Sequence, residues 1–369
     1  MRTVWGMTGP DAVTRFRSTK ARPMIERSAF SVVIVNYRTP ELVARCLALL
    51  AAERAGKGGF DVVVADGHSD DGSVEQIAAC LAGMGDPDWI ELLALPFNGG
   101  FGWANNQAML RLLQRDDPPR FIALLNPDTE IAPGALRKLA DILERQPRVA
   151  AVGSQLFEPD GSRSGSAFRF PSIAREFVRG SNTSALGRWL GIAPTLVELD
   201  VAGPVDWVTG ASVMLRADAL REVGLFDDGF FLYFEEVDLM HRLTRAGWQI
   251  WHEPESHVMH IGGVSTGVPG GAALVVPPRP RYWFASRRRF FARAYGPGRA
   301  LMANLAWLAG HAVWRLRKAF GLGRSTVEVP AELSGVVQYG LAASASDFHA
   351  AVVDWRDAPG AMPAWSRWK

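Results

Sequence analysis

The sequence predicts an α/β fold in which a mostly parallel central sheet carries helices on both faces. Residues 31–36, 61–66 and 120–125 are short apolar runs rich in β-branched side chains, which are typical of strands buried on both faces. Stretches with helical spacing of apolar residues separate these runs. Strands and helices that alternate at short intervals indicate a parallel sheet, because each crossover helix returns the chain to the same end of the sheet.

Four helices and one further strand complete this half of the chain. Pro40 begins a helix that ends near residue 54, since proline is tolerated in a first helical turn. Asp71 and Ser73 precede a helix to about residue 82, because short polar side chains cap helix starts. The other predicted elements are a strand at 90–95, a helix that starts in the glycine-rich turn 98–102 and ends near 114, and a helix at 133–145.

Polar side chains follow the predicted strands at their carboxyl ends. In open α/β sheets ligands bind beyond this edge, so we expect these side chains to line one crevice. A dinucleotide site is the main competitor, and it needs Gly-x-Gly-x-x-Gly after the first strand. That strand is followed instead by Asn-Tyr-Arg-Thr-Pro, which argues against a nicotinamide or flavin enzyme. The crevice candidates are Asn36, Tyr37, Arg38, Asp66, Asn98 and Asp128.

The second half of the chain has weaker periodicity. Residues 154–204 are rich in Gly, Ser and Arg, and we expect a long insertion that acts as a lid at the crevice mouth. One or two strands are predicted at 205–215. Short strands are predicted at 248–251 and 257–261, and the glycine- and proline-rich stretch 262–280 is predicted to be a linker.

Composition bounds the class of protein. With 369 residues, 48% hydrophobic and 21% charged, the chain can bury a full core in one large or two medium domains. Cys46 and Cys80 lack disulfide or metal-ligand spacing, so we expect small apolar residues in a reducing cytosol. Residues 301–313 are apolar but shorter than the roughly 20 residues of a spanning helix. The N-terminus has no apolar core typical of a secretory signal.

Three acids follow an aromatic run and form the first candidate for catalysis. Phe230, Phe231, Tyr233 and Phe234 precede Glu235, Glu236 and Asp238, after which the apolar spacing is helical. Acids in a first turn are favoured by the helix dipole, which would be a purely structural role. Beside apolar walls, a carboxylate loses hydration, its pKa rises, and it becomes a usable general base.

Hard oxygen ligands suited to Mg²⁺ or Mn²⁺ occur at Asn126 and Asp128. A second group of potential ligands lies downstream, where Pro254 prevents the helix of a zinc-protease motif. If this segment is a strand, its histidines at odd separations point to opposite faces, so only some can serve one site. The downstream group is His252, Glu253, Glu255, His257 and His260.

A strongly basic segment follows the linker. Residues 279–320 contain ten Arg or Lys and no Asp or Glu, and aromatic side chains are interleaved with them. Nucleic acid would be attracted to such a face. A membrane surface is the favoured partner, because Trp and Phe enter the headgroup boundary while Arg and Lys meet anionic lipid. Ordinary helices packed on the rest of the protein remain the alternative, since arginine stems cover apolar surface.

Several ordered motifs between residues 31 and 266 resemble those of one enzyme family. Residues 66–73 are similar to Asp-Asn-x-Ser-x-Asp-Gly-Ser, and residues 98–106 to Asn-x-Gly-Phe-x-x-Gly-x-Asn. Residues 126–128, Asn-Pro-Asp, resemble a metal-binding Asp-x-Asp, and residues 233–239 resemble Tyr-x-Glu-Asp-x-Asp-Leu. In these motifs the chain resembles family 2 glycosyltransferases of the GT-A type, in the rhamnosyltransferase-like branch.

The resemblance implies a role for most of these residues. Glu236 stands at the position of the catalytic Asp, with Glu235 and Asp238 beside it. Asp128 and His260 would hold Mg²⁺ or Mn²⁺. Residues 205–211 resemble the acceptor-side segment, which contains Trp207, Thr209 and Gly210. The implied donor-binding residues are Asn36, Tyr37, Arg38, Asp66, Asn98, Asn126 and Asp128.

The resemblance also implies an organisation in three parts. Residues 1–28 would be a flexible tail, and 29–266 a catalytic domain with the GT-A nucleotide-diphospho-sugar transferase fold. That domain would divide into a nucleotide-sugar half, 29–130, and an acceptor and catalytic half, 131–266. Residues 267–369 would form a linker and a basic, amphipathic helical extension that associates with the membrane.

The implied function is an inverting, metal-dependent transfer of a sugar from a nucleotide diphosphate, with L-rhamnose from dTDP-rhamnose as the favoured donor. The acceptor would be a lipid-linked or growing bacterial surface polysaccharide. The enzyme would be cytoplasmic and peripheral on the inner face of the cell membrane, with no nucleic-acid partner. The alternatives are a hexosyl- or galactofuranosyltransferase of the same fold, and a non-catalytic polysaccharide-assembly subunit at the membrane.

Overall fold

The computed structural model describes residues 14–16, 30–57, 59–261, 278–322, 329–341 and 345–367. Within these ranges the strands are β1 (Thr14–Phe16), β2 (Phe30–Asn36), β3 (Asp61–Asp66), β4 (Ile90–Ala94), β5 (Phe121–Leu125), β6 (Thr129–Ile131), β7 (Val149–Phe157), β8 (Ala167–Phe168), β9 (Leu196–Val197), β10 (Gly203–Val205), β11 (Trp207–Val208), β12 (Ser212–Arg216) and β13 (Gln249–His260). The α-helices are α1 (Pro40–Lys57), α2 (Ser73–Gly83), α3 (Phe101–Leu113), α4 (Ala135–Arg145), α5 (Ile173–Gly180), α6 (Ser184–Trp189), α7 (Ala217–Val223), α8 (Glu235–Arg245), α9 (Arg281–Tyr295), α10 (Pro297–Ala319), α11 (Glu332–Gly335) and α12 (Ala364–Arg367).

The central sheet has the strand order β1-β4-β3-β2-β5-β12-β7-β13-β10, and β6 pairs with β13. Strands β2 to β5 form one parallel block, and β7 pairs in parallel with β13. Strand β12 lies between the two blocks and is antiparallel to both β5 and β7. The predicted α/β class with a mostly parallel sheet is confirmed, and the elements of the first half match their predicted bounds within a few residues.

Helices cover both faces of this sheet, because neighbouring residues of each strand point to opposite sides. In β2, Val32 and Ile34 face a core shared with α1, α2 and α4. Val33 faces a second core, which is shared with α3, α7 and α8. Each face therefore needs its own apolar residues, which is why the strands read as continuous apolar runs rather than as alternating patterns.

Two predictions for the second half need correction. The short strands predicted at 248–251 and 257–261 are one strand, β13, in which a register shift between Glu253 and His257 accommodates Pro254. A bulge of this kind lets a strand continue past a residue that cannot donate a ladder hydrogen bond. Residues 205–215 contribute to three strands, β10, β11 and β12, rather than to one or two.

The stretch 154–204 is not a long irregular insertion. Ser154 lies inside β7 and is fully buried, while β8 and β9 join β11 in a separate three-stranded sheet. Helix α5 packs closely against α10, and two glycines allow this crossing. A Cβ atom at Gly180 would lie 2.2 Å from the Trp307 carbonyl oxygen, and one at Gly310 would lie 2.1 Å from the Phe177 carbonyl oxygen. Helix α5 is therefore docked on the C-terminal helices rather than being part of a loop-like lid.

The basic helix α9 is packed onto α5 and the loop before α8 through buried ion pairs. Arg287 donates to Glu176 of α5 at 2.7 Å, and Arg289 donates to Asp227 at 2.5 Å. All four side chains are less than 9% exposed. Although burial opposes ionisation, Arg179 and Arg287 hold the pKa of Glu176 at about 2. Arg287 and Arg289 are therefore not available to a membrane surface, because they are buried against acids of the same chain.

The C-terminal segment 351–367 crosses the outside of the second core and is called the strap. Its backbone exchanges hydrogen bonds with residues 225–228, including Leu225 N–H to the Val353 carbonyl at 2.8 Å. It also contacts α3, where the Trp103 indole N–H donates to the Ala361 carbonyl at 2.8 Å. The strap therefore connects the chain end to two loops that border the carboxyl edge of the sheet.

The predicted N-terminal tail and the predicted linker are only partly described by the structure. In the predicted tail 1–28, the structure describes only β1, which pairs antiparallel with β4 and was not anticipated. Most of the predicted linker, residues 262–277, lies outside the described residues. Among the helices that are described, none has both the length and the apolar character required for crossing a membrane.

Candidate active site

The predicted donor residues lie at one edge of the sheet. Strands β2, β3 and β5 are parallel neighbours, so their carboxyl ends open in the same direction. Asn36 and Asp66 are directly opposed in the β2–β3 register. Asn126 follows the end of β5, and its N–H donates to the Ala211 carbonyl at 2.9 Å. The predicted convergence of these side chains at a crevice edge is thus present in the fold.

Asp66 is the centre of a buried hydrogen-bond network. Its Oδ1 accepts from Asn36 Nδ2 at 2.8 Å and from Ser69 Oγ at 2.6 Å, and its Oδ2 accepts from the Ser69 N–H at 3.0 Å. The amide of Asn36 is oriented in turn by Thr39, whose Oγ1 donates to Asn36 Oδ1 at 3.0 Å. A carboxylate offers about four acceptor positions, so this network leaves capacity for one further donor.

The residues beside this network turn the chain out of the sheet. Arg38 has a left-handed backbone with φ of 60°, and its guanidinium lies 5.2 Å from the centre of the Tyr37 ring. Its backbone N–H donates to Ser69 Oγ at 2.9 Å. Ser69 belongs to the motif at residues 66–73, which did not indicate its role: it joins the loops after β2 and β3.

Asp128 and His260 meet at the edge of the sheet although they are far apart in sequence. Asp128 Oδ1 lies 3.3 Å from His260 Nε2, and the Ile261 N–H donates to the Asp128 carbonyl at 3.0 Å. Pairing of β6 with β13 places His260 opposite Thr129 and produces this approach. Two adjacent ligands at about 2.1 Å from an octahedral ion are about 3.0 Å apart, so the pair fits a shared divalent ion.

The other members of the downstream ligand group lie elsewhere. His257 packs edge-on against Phe157 at 5.0 Å between ring centres. His252 is buried, and burial lowers its pKa to about 4. Within the described ranges, no set of three or more His, Cys, Asp or Glu side chains is arranged to hold an ion. A divalent ion at Asp128 and His260 would therefore need further ligands from substrate or water, as Mg²⁺ often does.

Two glycines bring the remaining predicted residues close to the N-terminus of α3. Asn98 Oδ1 accepts from the Gly100 N–H at 3.0 Å, and Gly100 has a left-handed φ of 88°. A Cβ at Gly100 would lie 1.8 Å from the Phe231 carbonyl oxygen, so only glycine fits there. A Cβ at Gly210 would lie 3.3 Å from the ring of Phe101. The donor-side turn, the acceptor-side segment and the aromatic run before the acids are therefore neighbours.

The other predicted acceptor-side residues are held by β8 and its flanks. Trp207 stacks on Phe168 with 4.4 Å between ring centres, and its indole N–H donates to the Arg169 carbonyl at 3.2 Å. The Thr209 N–H donates to the Ser166 carbonyl at 3.1 Å. These contacts explain how the stretch after β7 supports the edge of the site.

Glu235 and Glu236 occupy the first turn of α8, and each has one carboxylate oxygen that is buried without a hydrogen-bond partner. Burial raises the pKa of Glu236 to about 7. Burial, and then the charge of Glu236, raise the pKa of Glu235 well above its ordinary value. Burial of the pair therefore keeps protons on these carboxyl groups at a higher pH than on exposed glutamates, and the value for Glu236 lies where a carboxylate can accept a proton near neutral pH.

Asp238 is engaged in a different way. Its Oδ2 accepts from Arg242 Nε at 2.8 Å, and the same guanidinium donates to the carbonyl oxygens of Val223 and Leu225 at 2.8 and 2.6 Å. This arrangement uses the acid to fix α8 against the end of α7.

The chain enters α8 through two consecutive left-handed residues. Tyr233 has φ of 68° and Phe234 has φ of 69°, a conformation that is uncommon for aromatic side chains. Non-glycine residues held in this region cost of the order of 1–3 kcal/mol each and cluster at functional sites. The strain lies immediately before the two buried glutamates, as expected for a functional turn.

Comparison with known proteins identifies the family. The model for "Glycosyl transferase family 2" matches residues 31–196, and that for "Glycosyl transferase family group 2" matches residues 121–321. The chain is 31% identical over 274 residues to N-acetylglucosaminyl-diphospho-decaprenol L-rhamnosyltransferase of Mycobacterium tuberculosis, covering 70% of this chain and 84% of that protein. The chain belongs to glycosyltransferase family 2.

One further relative agrees with the family assignment, and one solved structure shows the fold. Rhamnosyltransferase WbbL of Escherichia coli is 25% identical over 236 residues, covering 62% of this chain and 82% of WbbL. Among solved structures, GalNAc-T7 with UDP, GalNAc and Mn²⁺ superposes with a TM-score of 0.50 at 13% identity, covering 85% of this chain and 59% of GalNAc-T7. The glycosyltransferase fold is thus GT-A, and the family is rhamnosyltransferase-like.

Proposed function

We propose that this glycosyltransferase moves L-rhamnose from dTDP-rhamnose to a lipid-linked saccharide, with inversion at the anomeric carbon. The observation that carries the proposal is the meeting of Asp128 and His260, at 3.3 Å, on the same sheet edge as Asp66. The sugar and the lipid-linked acceptor are supported by the names of the Mycobacterium tuberculosis and Escherichia coli relatives.

Asp128 and His260 would hold a divalent ion, Mg²⁺ or Mn²⁺, together with oxygens of the donor diphosphate. When bound, such an ion neutralises charge that grows on the leaving diphosphate. The Mn²⁺ in the GalNAc-T7 complex supports this choice of group. Asp66 would accept from the ring N–H of the pyrimidine with its remaining acceptor capacity, and Tyr37 and Arg38 would border that pocket.

Glu236 would be the general base. The acceptor hydroxyl transfers its proton to a Glu236 oxygen while its own oxygen forms a bond to the anomeric carbon. The bond from that carbon to the diphosphate oxygen breaks, and its electron pair leaves with the diphosphate. Because attack comes from the face opposite the leaving group, one displacement inverts the configuration. The unpartnered buried oxygen of Glu236, with its pKa near 7, supports this role.

The acceptor would be presented at an anionic lipid surface by α10 rather than by α9. Helix α10 exposes a stripe of apolar side chains, and Arg315 and Lys318 are exposed beside it. Apolar side chains flanked by basic ones are typical of helices that lie in a headgroup layer. The exposed apolar side chains of and just after α10 are Leu301, Met302, Leu305, Leu316, Phe320 and Leu322.

A panel of nucleotide sugars tests the donor and the metal together. Thermal shifts with Mn²⁺ and dTDP-rhamnose should exceed those with other donors, because a ligand that binds only the folded state raises its stability by mass action. Nucleotide release with each donor then measures turnover. If another hexose or a galactofuranose donor alone supported turnover, the protein would be a different transferase of the same fold.

Sedimentation with vesicles tests whether the exposed apolar stripe of α10 binds a lipid surface. The variant Leu305→Glu with Leu316→Glu should bind less to vesicles containing phosphatidylglycerol, while Val201→Glu, at a site 76% exposed on another part of the chain, should bind normally. Added salt should weaken binding of the unmodified chain, since salt screens attraction to lipid. Equal sedimentation of all three proteins would contradict the proposed surface.

A further inference from the structure

Four half-buried aromatic side chains gather beside the candidate base and form what we call the aromatic wall: Phe231, Tyr233, Tyr282 and Trp365. Tyr233 and Tyr282 are stacked, with 6.0 Å between ring centres and 22° between planes. Phe231 packs edge-on against Tyr282 at 5.4 Å and against Trp365 at 5.0 Å. Rings that belonged only to the interior would be fully covered, as Phe230 is at 1% exposure.

The wall is assembled from three distant parts of the chain. Tyr282 lies on α9 and Trp365 on α12 in the strap, whereas the other two rings precede α8. The Trp365 indole N–H donates to the Gly99 carbonyl at 2.9 Å, and its backbone N–H donates to the Asp228 carbonyl at 3.2 Å. These bonds hold the wall between the donor-side turn, with Asn98, and the loop that leads into α8.

The position relative to the base follows from the chain itself. Glu236 is the third residue after Tyr233, so their Cα atoms lie within about 11 Å. On α9, Ser286 Oγ donates to the Leu232 carbonyl at 2.9 Å and fixes the helix against this loop. Tyr233 and Phe234 both have left-handed backbone conformations, and this turn orients the Tyr233 ring and the start of the helix that carries Glu236. The rings therefore lie on the same turn and helix start as the candidate base, within the span of one sugar residue or two.

We propose that the aromatic wall is an acceptor subsite that stacks against the apolar face of a sugar ring, with Tyr282 and Trp365 as its specificity-determining residues. An aromatic face carries partial negative charge, which attracts the C–H bonds on one side of a pyranose, and the contact also removes apolar surface from water. The Tyr282 hydroxyl can exchange a hydrogen bond with a sugar hydroxyl at the rim. This inference rests on the proposed function, since only a sugar acceptor would use the site during turnover.

Saturation-transfer NMR with methyl β-N-acetylglucosaminide tests binding without depending on turnover. We expect saturation of the ring C–H protons by the unmodified chain, and loss of most of that signal in Tyr282→Ala. Tyr282→Phe keeps the ring and should keep the signal. Trp189→Ala removes an aromatic side chain that is 81% exposed on α6, and it should behave like the unmodified chain. Melting curves of all variants check that each remains folded.

Steady-state kinetics distinguishes a loss of acceptor binding at the aromatic wall from a loss of donor binding or catalysis. With dTDP-rhamnose and N-acetylglucosaminyl diphosphate on a short polyprenol, Tyr282→Ala should raise the acceptor KM about tenfold or more. Release of nucleotide to water in the absence of acceptor should stay unchanged, because Tyr282 is not among the residues proposed to bind the donor or the metal ion. An unmodified chain that bound the glycoside but released no nucleotide would contradict the proposed function alone. Saturation that was absent from the unmodified chain, or equal in Tyr282→Ala, would overturn the subsite.

Discussion

Replacing Glu236 by Gln should remove the general base while leaving the site otherwise intact. The substitution keeps size and hydrogen-bonding capacity but cannot accept a proton. A general base typically contributes a factor of roughly 10² to 10⁴ in rate, which corresponds to about 3–5 kcal/mol of transition-state stabilisation. We therefore expect turnover to fall by that factor, with donor affinity nearly unchanged, because the lost interaction forms mainly in the transition state.

The pKa of Glu236 gives the same experiment a second readout. Because the base must be ionised, the rate of the unmodified chain should rise with pH through about 7. Burial keeps the proton on Glu236 in the folded state up to about pH 7, whereas the unfolded chain releases it near 4.5. Ionisation therefore costs folding stability as pH rises between these values, up to about 3 kcal/mol above pH 7. Glu236→Gln should thus raise the melting temperature more at pH 8 than at pH 4.5.

Initial rates and calorimetric donor affinity would be measured for Glu236→Gln, Glu235→Gln and Asp238→Asn together. Glu236→Asp is the rescue variant and should retain much of the activity, since it keeps a carboxylate. Asp238→Asn should lower stability through Arg242 more than it lowers the rate of the folded enzyme. If Glu236→Gln kept near-normal turnover while Asp238→Asn lost it, the base would be Asp238 and the assignment would be wrong by two residues.

Three further substitutions test the metal site and the docking of the extension. Asp128→Ala should abolish the Mn²⁺-dependent part of donor binding in calorimetry, whereas Asp141→Ala, on the surface of α4, should not; unchanged metal dependence would rule out Asp128 as a ligand. Glu176→Gln should lower the free energy of unfolding in urea by about 3–5 kcal/mol, because it leaves Arg287 buried without its charge partner. The control Asp218→Asn removes an exposed acid and should lower it by less than about 1 kcal/mol. Gly310→Ala should lower the melting temperature because its Cβ would meet the Phe177 carbonyl, whereas Gly298→Ala on the same helix has open space and should not; equal melting temperatures would contradict the close crossing of α5 and α10.

The first half of the fold could be predicted because local signals and global packing agree there. Each strand from β2 to β5 is a run of apolar side chains bounded by polar turns, and parallel order follows from the helices between them. The second half could not be assigned in the same way. Strand β13 contains Pro254 and shifts register, so its sequence resembles two short strands rather than one. The strands β8, β9 and β11 span only two residues each and depend on their partners for stability.

The site residues likewise include some that could be predicted from the sequence and some that could not. Asn36, Asp66 and Asn126 were predictable as neighbours because parallel strands end at one edge. Asp128 and His260 were paired only through the family resemblance, since no spacing rule brings β6 and the end of β13 together. Tyr282 and Trp365 could not have been placed beside the base, because their contacts depend on how α9 and the strap dock on the loop before α8.

The basic segment shows why a run of like charges is ambiguous in a sequence. Ten basic residues without an acid indicate an exposed electrostatic surface only if no acid elsewhere in the fold neutralises them. In α9 the partners exist: Glu176 comes from α5 and Asp227 from the loop before α8, and they meet Arg287 and Arg289 in the interior. The basic pattern of α9 therefore belongs to a helix packed against α8 and α10, with its buried arginines paired to acids of the same chain. On α10, by contrast, the apolar side chains Leu301, Leu305 and Leu316 are exposed, which is why the proposed lipid surface is assigned to that helix.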